Sequence, residues 1–227
     1  MQHGPSVEAF FKFNALWKPH VRIMGGDLWD FRPLRKGCSE DERRQSLRTD
    51  LNAGKAFFNR LKPHVFLRGN HDERLWELAE NGQGVAADYA SEGVSEIKAM
   101  IDHHKCTMLP YHKREGIYKL GCLKILHGFY PGHTAARRHA FTYQSCMFGH
   151  THADDQASIE GLEDRTGYAV ACLCRLDMDY NSRHPQTLRQ SHGFAYGVVN
   201  TKTGRFNLWK AKEIDGEWRV PSDVVSL

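Results

Sequence analysis

The sequence predicts an α/β protein, and three observations carry that prediction. Short apolar runs end in glycine and then a polar residue, helical segments separate the first of these runs, and strand patterns dominate after residue 152. The apolar runs that read as buried strands ending in tight loops span residues 21–24, 65–67, 123–126 and 146–148. Loops at the carboxyl ends of strands in α/β sheets are where ligand sites assemble, so we expect one shared site.

Helical spacing accounts for most of the remaining N-terminal half. Residues 7–17 have helical spacing, and Ser39 with Glu42 forms a capping box that should open a helix ending before Pro63. Two further helices are predicted over residues 72–80 and 94–103.

Strand and turn patterns dominate the C-terminal part. Predicted strands span residues 168–176, 194–200 and 205–212, with turns at Thr203-Gly204 and Asp215-Gly216. Residues 177–191 are expected to form an irregular loop.

The composition is that of one domain over residues 1–227. The chain has 227 residues, 41% of them hydrophobic, a formal net charge of +4, no 18-residue apolar run and no secretory signal. We therefore expect a cytoplasmic protein without a membrane segment and with reduced thiols. Cys172 and Cys174 are expected to pack as small hydrophobes on a buried strand, a soft metal site being the less favoured alternative.

Four segments carry the residues of chemical interest. They are Gly-Asp-Leu-Trp-Asp at 26–30, Gly-Asn-His-Asp-Glu at 69–73, Leu-His-Gly at 126–128 and Gly-His-Thr-His at 149–152. In order and in strand context they resemble the motifs of calcineurin-like metallophosphoesterases, over roughly residues 7–200. The resemblance implies two mixed β-sheets sandwiched between helices, and small members of this type occur in phages and bacteria.

The residue types at these positions favour a transition metal. Carboxylate, amide oxygen and imidazole form a mixed oxygen and nitrogen shell that suits Mn, Fe, Zn or Ni, and no cysteine belongs to it. The resemblance implies two divalent ions, Mn before Fe, Zn, Ni or Mg, that activate water for attack on phosphorus. It assigns them the following ligands: Asp27 as the bridge, Asn70, His127 and His150 for one ion, and His152 with Asp27 for the other.

The catalytic residues implied by the resemblance are His71 and Asp30. His71 would lie beside the scissile phosphate, where it protonates the leaving oxygen or stabilises developing charge. Asp30 would hold its imidazole through a hydrogen bond and favour the protonated form. Arg68 and Arg32 are candidate phosphate-binding residues, with structural ion pairing as the alternative for Arg68.

The chain departs from the family pattern at its start. No Asp-x-His motif precedes Gly26, so the fold is expected to lack its first strand and the first metal site to be incomplete. His3 is expected to be too mobile to substitute.

Each assigned residue has a structural alternative. Gly26-Asp27 could be a plain turn, Asn70 and Asp72 could cap the following helix, and His127 could be a packed core histidine. Asp102-His103-His104 matches the signature of unrelated phosphoesterases and is interpreted as a solvated helix end.

The leading functional hypothesis is metal-dependent hydrolysis of a phosphomonoester or phosphodiester. The mild positive charge slightly favours a nucleotide or nucleic acid substrate over a phosphoprotein. The alternative is a degenerate family member that acts as a binding module with little or no turnover. Substrate identity and oligomeric state lie beyond the sequence.

Overall fold

The computed structural model describes residues 2–163, 165–177 and 185–219. The chain divides into two compact units, one of residues 21–116 and the other of residues 1–20 with 117–227. Both units combine helices with sheets, so the predicted α/β class is confirmed. The single domain over 1–227 and the arrangement of two mixed sheets between helices stay predictions.

Regular elements follow each other in both units. The α-helices of the described residues are α1 (Gly4–Trp17), α2 (Glu40–Arg43), α3 (Leu47–Leu61), α4 (Glu73–Asn81), α5 (Gly84–His103) and α6 (Ala135–Tyr143). The strands are β1 (Ile23–Met24), β2 (Val65–Leu67), β3 (Thr107–Leu109), β4 (Tyr118–Leu120), β5 (Leu123–Leu126), β6 (Cys146–Phe148), β7 (Asp155–Ile159), β8 (Arg165–Ala169), β9 (Gly193–Val199), β10 (Phe206–Ile214) and β11 (Glu217–Arg219). Among the described helices none is long and apolar enough to cross a bilayer.

The unit of residues 21–116 is built on a parallel sheet in the order β1-β2-β3. Its core holds large apolar side chains from the sheet, from α3 to α5 and from the loop after β1; among them are Trp29, Phe58, Phe66, Leu75 and Ile97. Gly54 on α3 makes room for the buried Trp29, because an added Cβ would lie 2.0 Å from the indole Nε1. The loop after β1 is therefore anchored in the core.

The predicted helix from Ser39 to Pro63 is two helices. The capping box at Ser39 forms as expected, but α2 ends at Arg43. Ser46 then accepts from the Thr49 backbone N–H at 3.2 Å and caps α3. A second capping serine, Ser46, thus begins a new helix. The structure also extends the helix predicted over 94–103 back to Gly84.

The other unit contains a five-stranded mixed sheet in the order β4-β5-β6-β8-β7 and an antiparallel sheet in the order β11-β10-β9. Helix α1 packs on the antiparallel sheet, where Phe13 contacts the rings of Phe194 and Tyr196 at centroid distances of 5.0 and 4.7 Å. Strands β5, β6 and β8 run parallel, so their carboxyl ends share one edge.

The strand prediction for residues 168–176 is wrong beyond Ala169. Cys172 and Cys174 make only isolated bridges, to His192 and to Gln2. The apolar run continues past the strand, which is why periodicity alone overestimates its length. The loop predicted over 177–191 lies partly outside the described residues, and residues 185–189 within it form a 3₁₀ turn.

Candidate active site and metal-binding residues

Parallel pairing of β1 and β2 brings two of the predicted motifs together. Ile23 pairs with Val65, so the loops that follow these strands begin side by side. The His71 backbone N–H donates to Asp27 Oδ1 at 2.9 Å, and His71 Nε2 lies 3.9 Å from Asp27 Oδ2. Asn70, half-buried, belongs to the same turn as His71. Within this unit the structure thus brings Asp27, Asn70 and His71 to one edge of the sheet.

Asp30 contacts His71 as the sequence predicts. Its Oδ1 lies 2.8 Å from His71 Nδ1, while Arg32 Nε donates to its Oδ2 at 2.6 Å. Arg74 Nη1 donates to the Asp30 carbonyl oxygen at 2.6 Å. Burial acts to raise the pKa of Asp30, but the hydrogen bonds and charges of His71 and Arg32 outweigh it and lower that pKa well below its usual range. Asp30 is therefore an anion that fixes the His71 ring.

Asp72 organises the two loops instead of capping α4. The carboxylate is fully buried and makes no capping hydrogen bond to the helix. Its Oδ2 accepts from the backbone N–H groups of Asp27 and Gly69, each at 2.8 Å, and its Oδ1 accepts from that of Trp29 at 3.0 Å. The capping alternative for Asp72 is thus replaced by a role in joining the Asp27 loop to the Gly69 loop.

A second carboxylate, Asp50 of α3, supports the same loop. It accepts from the backbone N–H groups of Asp30 at 3.0 Å and Phe31 at 2.7 Å. Burial raises its pKa despite these hydrogen bonds. Sequence reasoning missed Asp50 because it lies 20 positions from Asp30, on a helix whose pattern indicates only packing.

The two candidate phosphate-binding arginines are engaged in structural contacts. Arg32 is buried against Asp30. Arg68 Nε lies 3.4 Å from Glu73 Oε2, and its guanidinium stacks over the ring of Trp76 at 4.7 Å. These contacts match the structural alternative weighed for Arg68, and phosphate binding by either arginine stays a prediction.

In the other unit, His127 and His150 follow the parallel strands β5 and β6. Their ring centroids lie 5.3 Å apart, with His127 buried and His150 half-buried. Gly128 permits this approach, since its φ is +117° and an added Cβ would lie 2.9 Å from the Cβ of His150. The glycine of the Leu-His-Gly segment is therefore required by the geometry of the histidine pair.

His139 of α6 supports these histidines and was missed by the sequence analysis. It is fully buried and stacks on Phe148 at a centroid distance of 3.7 Å. Its Nδ1 lies 2.8 Å from the Ala135 carbonyl oxygen, and its Nε2 accepts from the Phe129 backbone N–H at 3.0 Å. Burial lowers the pKa of His139 to about 4. A neutral His139 thus positions the chain just after His127 and just before His150.

His152 lies beside two cysteine thiols. Cys174 Sγ is 3.8 Å from His152 Nδ1 and 3.2 Å from Cys172 Sγ, and all three side chains are half-buried. The hydrogen bond between the sulfurs lowers the pKa of Cys174 against the effect of burial, and the contact with His152 acts in the same direction. The same hydrogen bond, with burial, raises the pKa of Cys172. The expectation that these cysteines pack as small hydrophobes on a strand is not what the structure shows.

Three of the five predicted metal ligands have left-handed backbones. Asp27 has φ 53°, His150 φ 60° and His152 φ 56°. Such conformations are uncommon for residues other than glycine and cost on the order of 1 kcal/mol each. Backbone strain of this kind is concentrated at functional sites, so it agrees with the assignment of these residues.

Two further histidine groups have defined positions. His3 stacks on His192 at 4.1 Å, and His192 Nδ1 lies 2.9 Å from Glu213 Oε2. The His3 backbone N–H donates to the Leu173 carbonyl oxygen, so the structure gives His3 defined contacts. His103, exposed, ends α5, as the helix-end interpretation predicts.

Comparison of the chain with protein-family models, with curated proteins and with solved structures gives no match.

Proposed function

We propose that this protein is a metal-dependent phosphoesterase, with the calcineurin-like fold of two mixed sheets between helices. The observation that carries the proposal is the Asp30–His71 hydrogen bond of 2.8 Å, formed beside the carboxylate of Asp27. A histidine held by a half-buried carboxylate, with its other ring nitrogen 3.9 Å from a second carboxylate of metal-ligand type, is suited to proton transfer at a metal site.

The donor set fits divalent transition metals. The proposed ligands combine carboxylate, amide and imidazole donors: Asp27, Asn70, His127, His150 and His152. When bound, two ions such as Mn²⁺ would supply water activation and neutralise phosphate charge. The protein contributes ligand orientation, since Asp27 is fixed by the His71 backbone N–H and the Gly128 turn admits His150 close to His127.

His71 is the proposed general acid. Its Nδ1 is occupied by Asp30, which leaves Nε2 as the nitrogen that delivers a proton to the leaving oxygen. Arg32 and Arg74 hold Asp30 in place, so the imidazole keeps one orientation. Asp30 remains ionised through this network, because the hydrogen bonds and charges of His71 and Arg32 outweigh the effect of burial and lower its pKa.

The substrate class is a phosphomonoester or phosphodiester. The net charge of +4 suits an anionic substrate. Nucleotides and nucleic acids are therefore among the candidate substrates. The proposed setting is the cytoplasm, with no membrane partner.

The test is hydrolysis of bis-p-nitrophenyl phosphate and p-nitrophenyl phosphate in added Mn²⁺. We expect turnover by the parent chain and a loss of about 10²-fold or more in Asp30→Asn, because the His71 imidazole loses its anionic partner. Asp88→Asn, an exposed carboxylate on α5, is the matched control and should keep full turnover. Tight Mn²⁺ binding with no turnover of either ester would instead support a binding module.

A further inference from the structure

Two cysteines extend the row of donor residues along the five-stranded sheet. Strand β8 pairs parallel with β6, so the chain after β8 emerges at the same edge as the loop that carries His150 and His152. Cys172 and Cys174 follow β8 directly. Ligand sites form at the carboxyl ends of neighbouring parallel strands, and here that position holds two thiols and an imidazole.

The three donor atoms lie at distances suited to a single ion. Zn–S bonds of about 2.3 Å and Zn–N bonds of about 2.0 Å place donors on a tetrahedral ion roughly 3.5 to 3.8 Å apart. The observed Cys174–His152 distance is 3.8 Å, the Cys172–Cys174 distance is 3.2 Å, and all three donor atoms lie within 4.8 Å of one another.

The backbone holds these donors in place through Ser191. The Ser191 N–H donates to the His152 carbonyl oxygen at 2.9 Å, and the Cys172 N–H donates to the Ser191 carbonyl oxygen at 3.1 Å. His192 Nε2 lies 3.0 Å from the Cys174 carbonyl oxygen. One segment thus fixes all three donor residues, including His152 with its left-handed backbone. Such outer contacts orient ligands in metal proteins.

We propose that His152, Cys172 and Cys174 form a thiolate and imidazole site for a borderline-soft divalent ion, Zn²⁺ above all. Two thiolates and Zn²⁺ give a neutral centre, which suits the half-buried position of the side chains. The site uses residues of one unit only and does not depend on phosphoester hydrolysis. It makes His152 a ligand of this ion in place of the oxygen and nitrogen shell implied by the resemblance, so Asp27, Asn70, His127 and His150 are the ligands that the proposed phosphoester metals keep.

Cobalt substitution tests the site, because Co²⁺ bound to thiolate has a charge-transfer absorption in the near ultraviolet. The reduced, chelator-treated full chain is titrated anaerobically with Co²⁺ and then with Zn²⁺. We expect a thiolate-to-cobalt band that grows to saturation as Co²⁺ is added and disappears as Zn²⁺ displaces Co²⁺. Cys172→Ser and the double variant Cys172→Ser/Cys174→Ser should lose the band. The matched control Cys38→Ser/Cys122→Ser removes two thiols elsewhere and should keep it.

Several outcomes separate this inference from the proposed function. His71→Ala should keep the cobalt band whatever its turnover, since His71 belongs to the other unit. Phosphoesterase activity without a thiolate band in the folded parent chain would overturn the metal site and leave the proposed function standing. A band that persists in the double variant would also overturn the proposed thiolate site. The parent spectrum alone decides the matter if the variants fail to fold.

Discussion

At the residue scale, the partners of a histidine decide what its ring can do. His71 has a carboxylate partner on Nδ1, and His139 has a carbonyl partner on Nδ1 and a backbone N–H facing Nε2. The first arrangement accommodates a proton on each ring nitrogen. The second fits only the neutral tautomer, because a proton on Nε2 would face the Phe129 N–H. We therefore assign proton transfer to His71 and positioning to His139.

Replacing His71 by alanine should lower turnover and leave metal content intact. Loss of a general acid reduces the rate by about 10²–10⁴-fold, while none of the proposed ligands is removed. Steady-state hydrolysis of bis-p-nitrophenyl phosphate and metal analysis of the purified variant are the measurements. His103→Ala, at the exposed end of α5, is the control and should behave like the parent. Metal loss equal to the activity loss would show that His71 serves as a ligand.

His139 should make the protein less stable as pH falls from about 6.5 to about 4. Its pKa is lowered to about 4 in the folded chain, so over this interval the unfolded chain binds one more proton. The contribution of His139 to the free energy of unfolding is complete above pH 6.5. It decreases by on the order of 3 kcal/mol as the pH falls to 4. Urea unfolding at several pH values measures the effect, and His139→Gln should flatten the curve.

The control for this pH dependence is His103→Gln, which removes an exposed histidine. Its unfolding free energy should follow the parent curve over the same interval. Equal pH dependence in the parent and in His139→Gln would show that His139 is not the group that titrates.

At the scale of elements, what the sequence predicts well is the end of each buried strand. The runs before Gly25, Arg68, His127 and Gly149 all form strands, because an apolar run that stops at a polar loop has few other solutions. Strands β3 and β4 were not predicted, since their residues are exposed or half-buried and form no continuous apolar run. Helix α6 escaped prediction because its buried face consists mainly of alanines and a histidine, which give little hydrophobic signal in sequence.

Replacing Asp72 by asparagine should destabilise the unit of residues 21–116. The carboxylate accepts three backbone N–H groups, and an amide would turn its NH₂ towards at least one of them. Hydrogen bonds to a buried charged group contribute about 1.5–3 kcal/mol, and we expect an unfolding free energy lower by about that amount. Urea denaturation measures it, with Asp88→Asn as the exposed control. Unchanged stability would mean that the two loops are held by other contacts.

At the scale of the whole molecule, the candidate donors follow the ends of parallel strands in both units. The motif resemblance selects Asp27, Asn70, His127, His150 and His152 as candidate donors, because the order and residue types of the motifs can be read from the sequence alone. It could not identify Asp50 or His139, whose contacts depend on how helices pack against loops. The two thiols beside His152 were visible in sequence but assigned to packing, since their proximity to the histidine depends on the pairing of β6 with β8.

Turnover measured against manganese occupancy tests whether this protein is a metal-dependent phosphoesterase. The chain is stripped with a chelator and titrated with Mn²⁺, while bound metal and the initial rate of bis-p-nitrophenyl phosphate hydrolysis are followed together. We expect no hydrolysis by the stripped chain and a rate that rises with bound Mn²⁺ until the sites are filled. Hydrolysis that is unaffected by stripping, or a chain filled with Mn²⁺ that hydrolyses no phosphate ester, would contradict the proposed function.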